Sequence, residues 1–310
     1  MKKLNKEGLS LDQGVKKQQN NKKSIKNKVL ETFSVTFLGV RGTIPLASKE
    51  FLKYGGNTSC VKVTTGLGDA GSTFLFDAGT GIIKYGDKAL LQGHRVFHLF
   101  LSHMHYDHVI GLSRFGPLFR GDCEVHIYGQ SKCGRSLKDI FASFFAQPFF
   151  PVEFYTLPSL RNLHFHELNC LNSIEVNGTC IDIEILNHPQ ESLAFKVWNK
   201  DKSFNVVYAT DHEHGTDKDL QLKKFIQNTN LFIYDSTYSD KEYINFKGWG
   251  HSTAKYGAQI SKESKVKKFA IFHHDPAHND KYLEDIILIE ALKIFKGSFL
   301  AQENMTINIK

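Results

Sequence analysis

The chain has 310 residues, 41% of them hydrophobic and 23% charged, enough to bury the core of one large domain. No apolar run reaches the roughly 18 residues of a membrane helix. The net charge of +7 resides in residues 1–29, where nine lysines face only Glu7 and Asp12; the remaining 30 basic and 30 acidic residues cancel. That segment reads as a disordered basic tail, with residues 30–310 as the folded domain. A basic arm can touch nucleic acid or an anionic membrane, although a purely solubilising tail is the simpler reading. Five scattered cysteines, Cys60, Cys123, Cys133, Cys170 and Cys180, form no CxxC pair. With no apolar leader segment in the basic stretch, they point to reduced thiols and a cytoplasmic protein.

From Thr32 onward, strand-like runs recur: "FSVTFLGV", "CVKVTT", "STFLFDAG", "VFHLFLS", "EVHIYG", "IDIEILNH", "LAFKVW", "FNVVYATD", "LFIYDS" and "KFAIFHH". Gly and Asn turns such as "KYGGNTSC" and "TTGLGDAGS" separate the early runs and predict hairpins of a mixed sheet. Later runs alternate with helical patterns in "DKDLQLKKFIQNT", "STAKYGAQISKESKV" and "DKYLEDIILIEALKIF". Strands with intervening helices in both halves predict an α/β protein of two sheets faced by helices.

Four of these runs end in residues that bind metals. "VFHLFLS" passes into "HMHYDH", with His103, His105, Asp107 and His108; the other three end at His188, at Asp211, and at His273 followed by His274. Each donor sits where a rigid strand hands over to a loop, which fixes its direction at small entropic cost. Zinc takes three or four such His and carboxylate donors, and catalytic sites leave one position open. His94, His98, His126, His164, His166, His212, His214 and His278 lack that pattern and read as incidental.

The sequence resembles the metallo-β-lactamase superfamily over residues 33–295, in its HxHxDH branch of dinuclear phosphodiesterases typified by ribonuclease Z. Besides "HMHYDH", the resemblance rests on "FLGVRGTIP" (37–45), "YGGNTSC" (54–60), "FDAGTG" (76–81), "NHP" (187–189), "ATD" (209–211), "DSTY" (235–238), "GWGHST" (248–253) and "FHHDP" (272–276). Bacterial hydrolases with "RGTIP", "GGNTSC" and "GHST", and phage phosphodiesterases that destroy cyclic-nucleotide signals, are similar. The resemblance implies an αββα sandwich of two mixed sheets flanked by helices, with two divalent ions, Zn2+ or alternatively Mn2+ or Fe2+, at the edge of the sheets. It implies His103, His105 and His188 at the first ion, Asp107, His108 and His273 at the second, and Asp211 between them, with His274 competing for the place of His273. Asp77 corresponds to an aspartate that orients the ligand loop. Asp107 and His251 are the implied catalytic residues, His251 as general acid or phosphate-oxygen stabiliser.

Two such ions lower the pKa of a shared water and clamp two oxygens of an in-line displacement, chemistry suited to phosphodiesters. Transfer-RNA-processing members carry a long arm between the positions of His188 and Asp211, where this chain has only 22 residues. A small phosphodiester, foremost a cyclic nucleotide, is therefore the expected substrate. A ribonuclease Z-like 3′-processing endonuclease and a non-catalytic nucleotide-binding protein are the alternatives. Trp249 offers a stacking platform for a base. The aromatic stretch 139–158 serves as core, pocket lining or dimer contact, and the branch leads us to expect a homodimer.

Overall fold

The computed structural model describes residues 32–66, 71–169 and 171–309. The expected tail at 1–29 and Cys170 lie outside them. One sheet is built from β1 (Thr32–Gly39), β2 (Cys60–Gly66), β3 (Ser72–Phe76), β4 (Val96–Phe100), β5 (Glu124–Gly129) and β6 (Leu163–Glu167). The other contains β7 (Ser173–Val176), β8 (Thr179–Leu186), β9 (Ser192–Trp198), β10 (Asn205–Ala209), β11 (Leu231–Asp235), β12 (Lys268–Phe272) and β13 (Ser298–Leu300). β14 (Thr306–Asn308) returns to pair with β1, giving seven strands per sheet in the orders β14-β1-β2-β3-β4-β5-β6 and β13-β12-β11-β10-β9-β8-β7. In each sheet, antiparallel pairing gives way to parallel pairing, from β3 onward in the first and from β10 onward in the second.

The apolar runs are nearly continuous because the central strands are covered on both faces. Alternate residues point inward: Val35 and Phe37, Phe74 and Phe76, Phe195, Tyr208 and Phe272 fill the space between the sheets. Their neighbours Leu75, Leu99, Val125 and Ile127 point outward and pack with residues of α1 (Ile82–Leu91) and α3 (Leu137–Phe144). The short α2 (Tyr106–Val109) follows β4. On the opposite side, Val207, Phe232, Tyr234 and Phe269 pack with residues of α4 (Lys218–Phe225), α6 (Ala254–Glu263) and the C-terminal helical stretch 280–292. A one-turn helix, α5 (Asp240–Tyr243), precedes α6. The four layers are the expected αββα sandwich.

Two details differ from the expectation. β1 and β2 pair antiparallel, but "KYGGNTSC" closes no tight hairpin. The chain from 40 to 59 makes a long loop whose base is held by Val40 N–H and Arg41 N–H, both donating to Asn57 O at 2.9 Å. β6, β7 and β14 are short and polar or half-exposed, and β13 is only three residues long, so no apolar run announced them. Phe141, Phe145 and Phe154 of the aromatic stretch are core residues, whereas Phe149 is 90% exposed.

Candidate metal centre

The C-terminal ends of β3, β4, β8, β10 and β12 open onto one edge of the sandwich, and the candidate residues leave them there. Asp77 directly follows β3, His273 directly follows β12, and Asp211 stands two residues beyond β10. All three have left-handed backbones, with φ of 59°, 62° and 57°. Such a conformation costs energy in a non-glycine residue and persists where the surroundings over-determine it. His105 precedes α2, whose first turns carry Asp107 and His108.

The side chains meet in two groups that share one carboxylate. His103, His105, His188 and Asp211 bring donor atoms within 4.8 Å of one another, as do Asp107, His108 and His273. Asp211 faces both: its Oδ2 lies 3.5 Å from His103 Nε2 and 3.6 Å from His188 Nε2, its Oδ1 3.2 Å from His108 Nε2 and 3.3 Å from His273 Nε2. Asp107 Oδ2 completes the second group at 3.2 Å from His108 Nε2 and 3.1 Å from His273 Nε2. His274 turns away, its Nε2–H donating to Ala301 O at 2.9 Å.

The far side of each ring fixes its tautomer. His108 Nδ1–H donates to Asp77 (2.7 Å), His188 Nδ1–H to Gly250 O (2.8 Å) and His273 Nδ1–H to Thr237 Oγ1 (3.0 Å). His103 Nδ1 lies 3.0 Å from Ser102 Oγ, whose own hydrogen goes to Asp77. Each Nε2 lone pair is thereby aimed at the shared space. Nε2 of His103 is buried with no hydrogen-bond partner, an arrangement costly unless something else accepts the lone pair. Burial opposes a charge on His108, but Asp107, then Asp211 and Asp77, outweigh it and hold the ring protonated, a charge that a metal ion would replace. Burial, the leading effect, and the neighbouring imidazoles hold His103 well below its ordinary pKa, so it is a neutral donor. The carboxylates of Asp107 and Asp211 stay ionised: burial opposes this, but the adjacent imidazoles outweigh it and lower both. This donor set suits two divalent ions.

A family model described as the β-lactamase superfamily domain matches residues 72–274, a span that contains every one of these donors. The chain belongs to the metallo-β-lactamase superfamily. It is a metal-dependent hydrolase. Among curated relatives, ribonuclease Z of Picrophilus torridus is 25% identical over 316 residues, covering 90% of this chain and 96% of that protein. Among solved structures, the metallo-β-lactamase fold protein YhfI of Bacillus subtilis superposes with a TM-score of 0.66 at 17% identity, covering 90% of this chain and all of that one. Unliganded yeast PDE1 superposes with a TM-score of 0.63 at 14% identity, covering 91% of this chain and 100% of that one.

The hydrolase also places His251 at the centre. Its ring stacks 4.9 Å from His273, and its Nδ1 lies 2.8 Å from Asp235 Oδ2 and 3.9 Å from Asp211 Oδ2. Burial alone would depress its pKa, but Asp235 first, then Asp211 and Asp107, raise it to about 9. Asp235 stands in the motif "DSTY" and near the end of the run "LFIYDS", but no role follows for it from the sequence. Thr253 Oγ1 caps α6 by accepting from Tyr256 N–H, which leaves His251 free of that duty. A cleft of about 480 Å3 adjoins the centre, lined by Thr43, His105, Asp107, Tyr238, Trp249 and His251 among others.

The glycine-rich motifs serve these rings in the hydrolase. A Cβ on Gly42 would sit 2.4 Å from the His273 ring, and one on Gly250, whose φ is 88°, 2.3 Å from His188 Nδ1. Glu213 holds the "GWGH" loop by accepting from Gly248 N–H and Gly250 N–H. Arg41 is fully buried; it ties Gly55 O to His278 O, and so the "RGTIP" loop to the segment after β12. Thr43 N–H then donates to Asp107 Oδ2 at 2.7 Å. None of the eight histidines read as incidental offers a nitrogen to the donor groups described here.

Proposed function

We propose that this hydrolase cleaves a small phosphodiester, foremost a cyclic nucleotide, using two divalent ions. The observation that carries the reading is the pair of donor groups sharing Asp211, one carboxylate oxygen turned to each. In this reading His103, His105 and His188 hold one ion, Asp107, His108 and His273 the other, and Asp211 bridges them; zinc is the proposed metal, with manganese or iron suited to the same nitrogen and oxygen donors. When bound, such ions lower the pKa of water toward neutrality and offset charge on phosphoryl oxygens. Asp107 holds its place through Thr43 N–H. His251, kept protonated by Asp235, donates a proton to the departing oxygen or a hydrogen bond to a nonbridging one. Trp249, 64% exposed at the cleft, stacks on the base.

Substrate size is argued from the stretch between His188 and Asp211. It is taken up by β9 and β10, paired antiparallel from Trp198 to Asn205, which leaves no room for a long RNA-gripping arm. Transfer-RNA 3′ processing is the second reading, favoured by the near full-length match to ribonuclease Z. Residues 1–29 supply its electrostatic grip if RNA is the substrate. For the homodimer, exposed Phe149 and Tyr155 are the proposed contact. No helix among the described residues is long and apolar enough to cross a membrane.

The test is a panel of cyclic mononucleotides, cyclic dinucleotides, bis-p-nitrophenyl phosphate and a precursor transfer RNA, with zinc or manganese added. Turnover of a cyclic nucleotide, lost in Asp211→Ala while the fold persists, is expected. Turnover of the precursor alone would replace the first reading with the second. No turnover of any phosphodiester would defeat both.

A further inference from the structure

Away from the catalytic edge, four histidines form a second constellation. His98 on β4, His126 on β5 and His164 on β6 are register partners in adjacent parallel strands. Side chains at paired positions share one face, and strands lie roughly 4.8 Å apart. The imidazoles therefore stack as a row, 4.7 Å from His98 to His126 and 4.7 Å from His126 to His164. His166, two residues on and on the same face, stacks 4.3 Å from Tyr128 and approaches His126 Nδ1 with its Nε2 at 3.0 Å. A groove of about 940 Å3 runs over His98, His126 and His166, between this face and the β7 edge of the other sheet.

At the mouth of that groove stands Glu124. Its Oε1 lies 2.9 Å from His126 Nε2 and 3.5 Å from His164 Nε2, and one donor atom from each of the three residues falls within 4.8 Å of the other two. Zinc bonds of about 2.0–2.2 Å in a tetrahedron separate neighbouring donors by roughly 3.3–3.5 Å; the Glu124–His164 separation already matches, and the Glu124–His126 pair, now at hydrogen-bond distance, would open by a few tenths of an ångström. We propose that Glu124, His126 and His164 form a further binding site for a zinc-like divalent ion, separate from the catalytic pair.

The surroundings favour this occupant over a packing ladder. A row meant only to pack would use apolar rings, which carry no polar nitrogens to desolvate. In this row, His98 is satisfied internally: Asn177 Nδ2–H donates to its Nε2 at 3.1 Å, and its Nδ1 meets Tyr128 Oη at 3.2 Å. Burial, then His126 and His166, push His98 down to about 4, so the row's inner end stays uncharged. In the metal-free chain His126 Nε2–H donates to Glu124 Oε1 at 2.9 Å; an ion would take the place of that hydrogen, and His166 Nε2, 3.0 Å from His126 Nδ1, is positioned to accept Nδ1–H in the tautomer that a ligand needs. Glu124 and His164 are each nearly half exposed, giving the ion a path in and water its remaining position. The consequence is mechanical. β6 ends its sheet, and an ion shared by His164 on β6 and by Glu124 and His126 on β5 clips that edge strand to its neighbour.

Equilibrium dialysis of the full chain against low-micromolar free zinc, with metal counted by mass spectrometry, tests the site. The double variant His126→Gln/His164→Gln is expected to bind one equivalent fewer per chain than the unmodified protein, its affinity there falling more than about a hundredfold. Glu124→Gln, at an exposed carboxylate, is expected to weaken the same equivalent and serves if the double variant unfolds; circular dichroism checks the fold of each. The count does not depend on what the catalytic centre holds. Equal zinc content in the unmodified protein and in the folded variants would overturn the proposal.

Discussion

Replacing Asp77 with Asn tests how far one buried carboxylate organises the catalytic edge. Asp77 is completely buried and accepts four hydrogen bonds: Oδ1 from Ser102 N–H at 2.7 Å, and Oδ2 from Ser102 Oγ–H at 2.8 Å, His108 Nδ1–H at 2.7 Å and Tyr208 Oη–H at 2.7 Å. Asn keeps the shape but must place an NH2 at one of the two oxygen positions. At the Oδ1 position it confronts Ser102 N–H; at the Oδ2 position it confronts three donors. Either choice creates a donor–donor contact near 2.7 Å and removes the charge from the remaining bonds. Hydrogen bonds to charged groups contribute about 1.5–3 kcal/mol each, and a stranded buried donor costs about 1–3 kcal/mol. The expected loss of stability is therefore about 3–5 kcal/mol, together with a fall of roughly 10–100-fold in metal affinity as His108 loses the partner that fixes its tautomer. Thermal unfolding of the metal-free protein and competition for zinc against a chromophoric chelator measure the two effects separately. A variant with unchanged Tm and unchanged zinc affinity would refute the reasoning, since no arrangement of an amide satisfies these four donors.

Four further outcomes are expected. His251→Ala should lower kcat about 10²–10⁴-fold while metal content stays unchanged, because the ring borders the donor groups without belonging to the ligand set. Trp249→Ala should raise KM for a cyclic nucleotide by roughly 5–150-fold, the equivalent of about 1–3 kcal/mol of stacking, with kcat largely retained; steady-state kinetics separates this from an effect on chemistry. Chelation should abolish turnover and lower Tm, since His103 Nε2 is then buried without a hydrogen-bond partner, and restored zinc or manganese should reverse both. Gly42→Ala should weaken metal binding more than it unfolds the chain. The added methyl must push the His273 ring aside, whereas the core strands on either side are untouched; comparing zinc affinity with Tm decides the point.

Much of the fold was legible because the central strands are covered on both faces, so "STFLFDAG", "FNVVYATD" and "KFAIFHH" read as unbroken apolar runs with a polar donor at the end. That same regularity marked His103, His188, Asp211 and His273 as a set. The edge strands β6, β7, β13 and β14 escaped notice because an edge needs neither length nor two apolar faces. The supporting atoms also escaped. Ser102 Oγ, Gly250 O, Thr43 N–H and the Tyr208 hydroxyl act through position, and no residue type reports where a backbone group will point.

The amino-acid sequence by itself determined which residues were candidates for the chemistry, because polar groups at strand ends follow from local pattern and order along the chain. Only the tertiary structure shows which of His273 and His274 faces the other candidate donors. Their neighbouring positions are equivalent in sequence, yet the left-handed backbone at His273 sends one ring to Asp107 and Asp211 and the other to Ala301. It alone also coupled His251 to Asp235 and lined up His98, His126 and His164, since strand register, which brings residues dozens of positions apart face to face, is set by the packing of whole sheets.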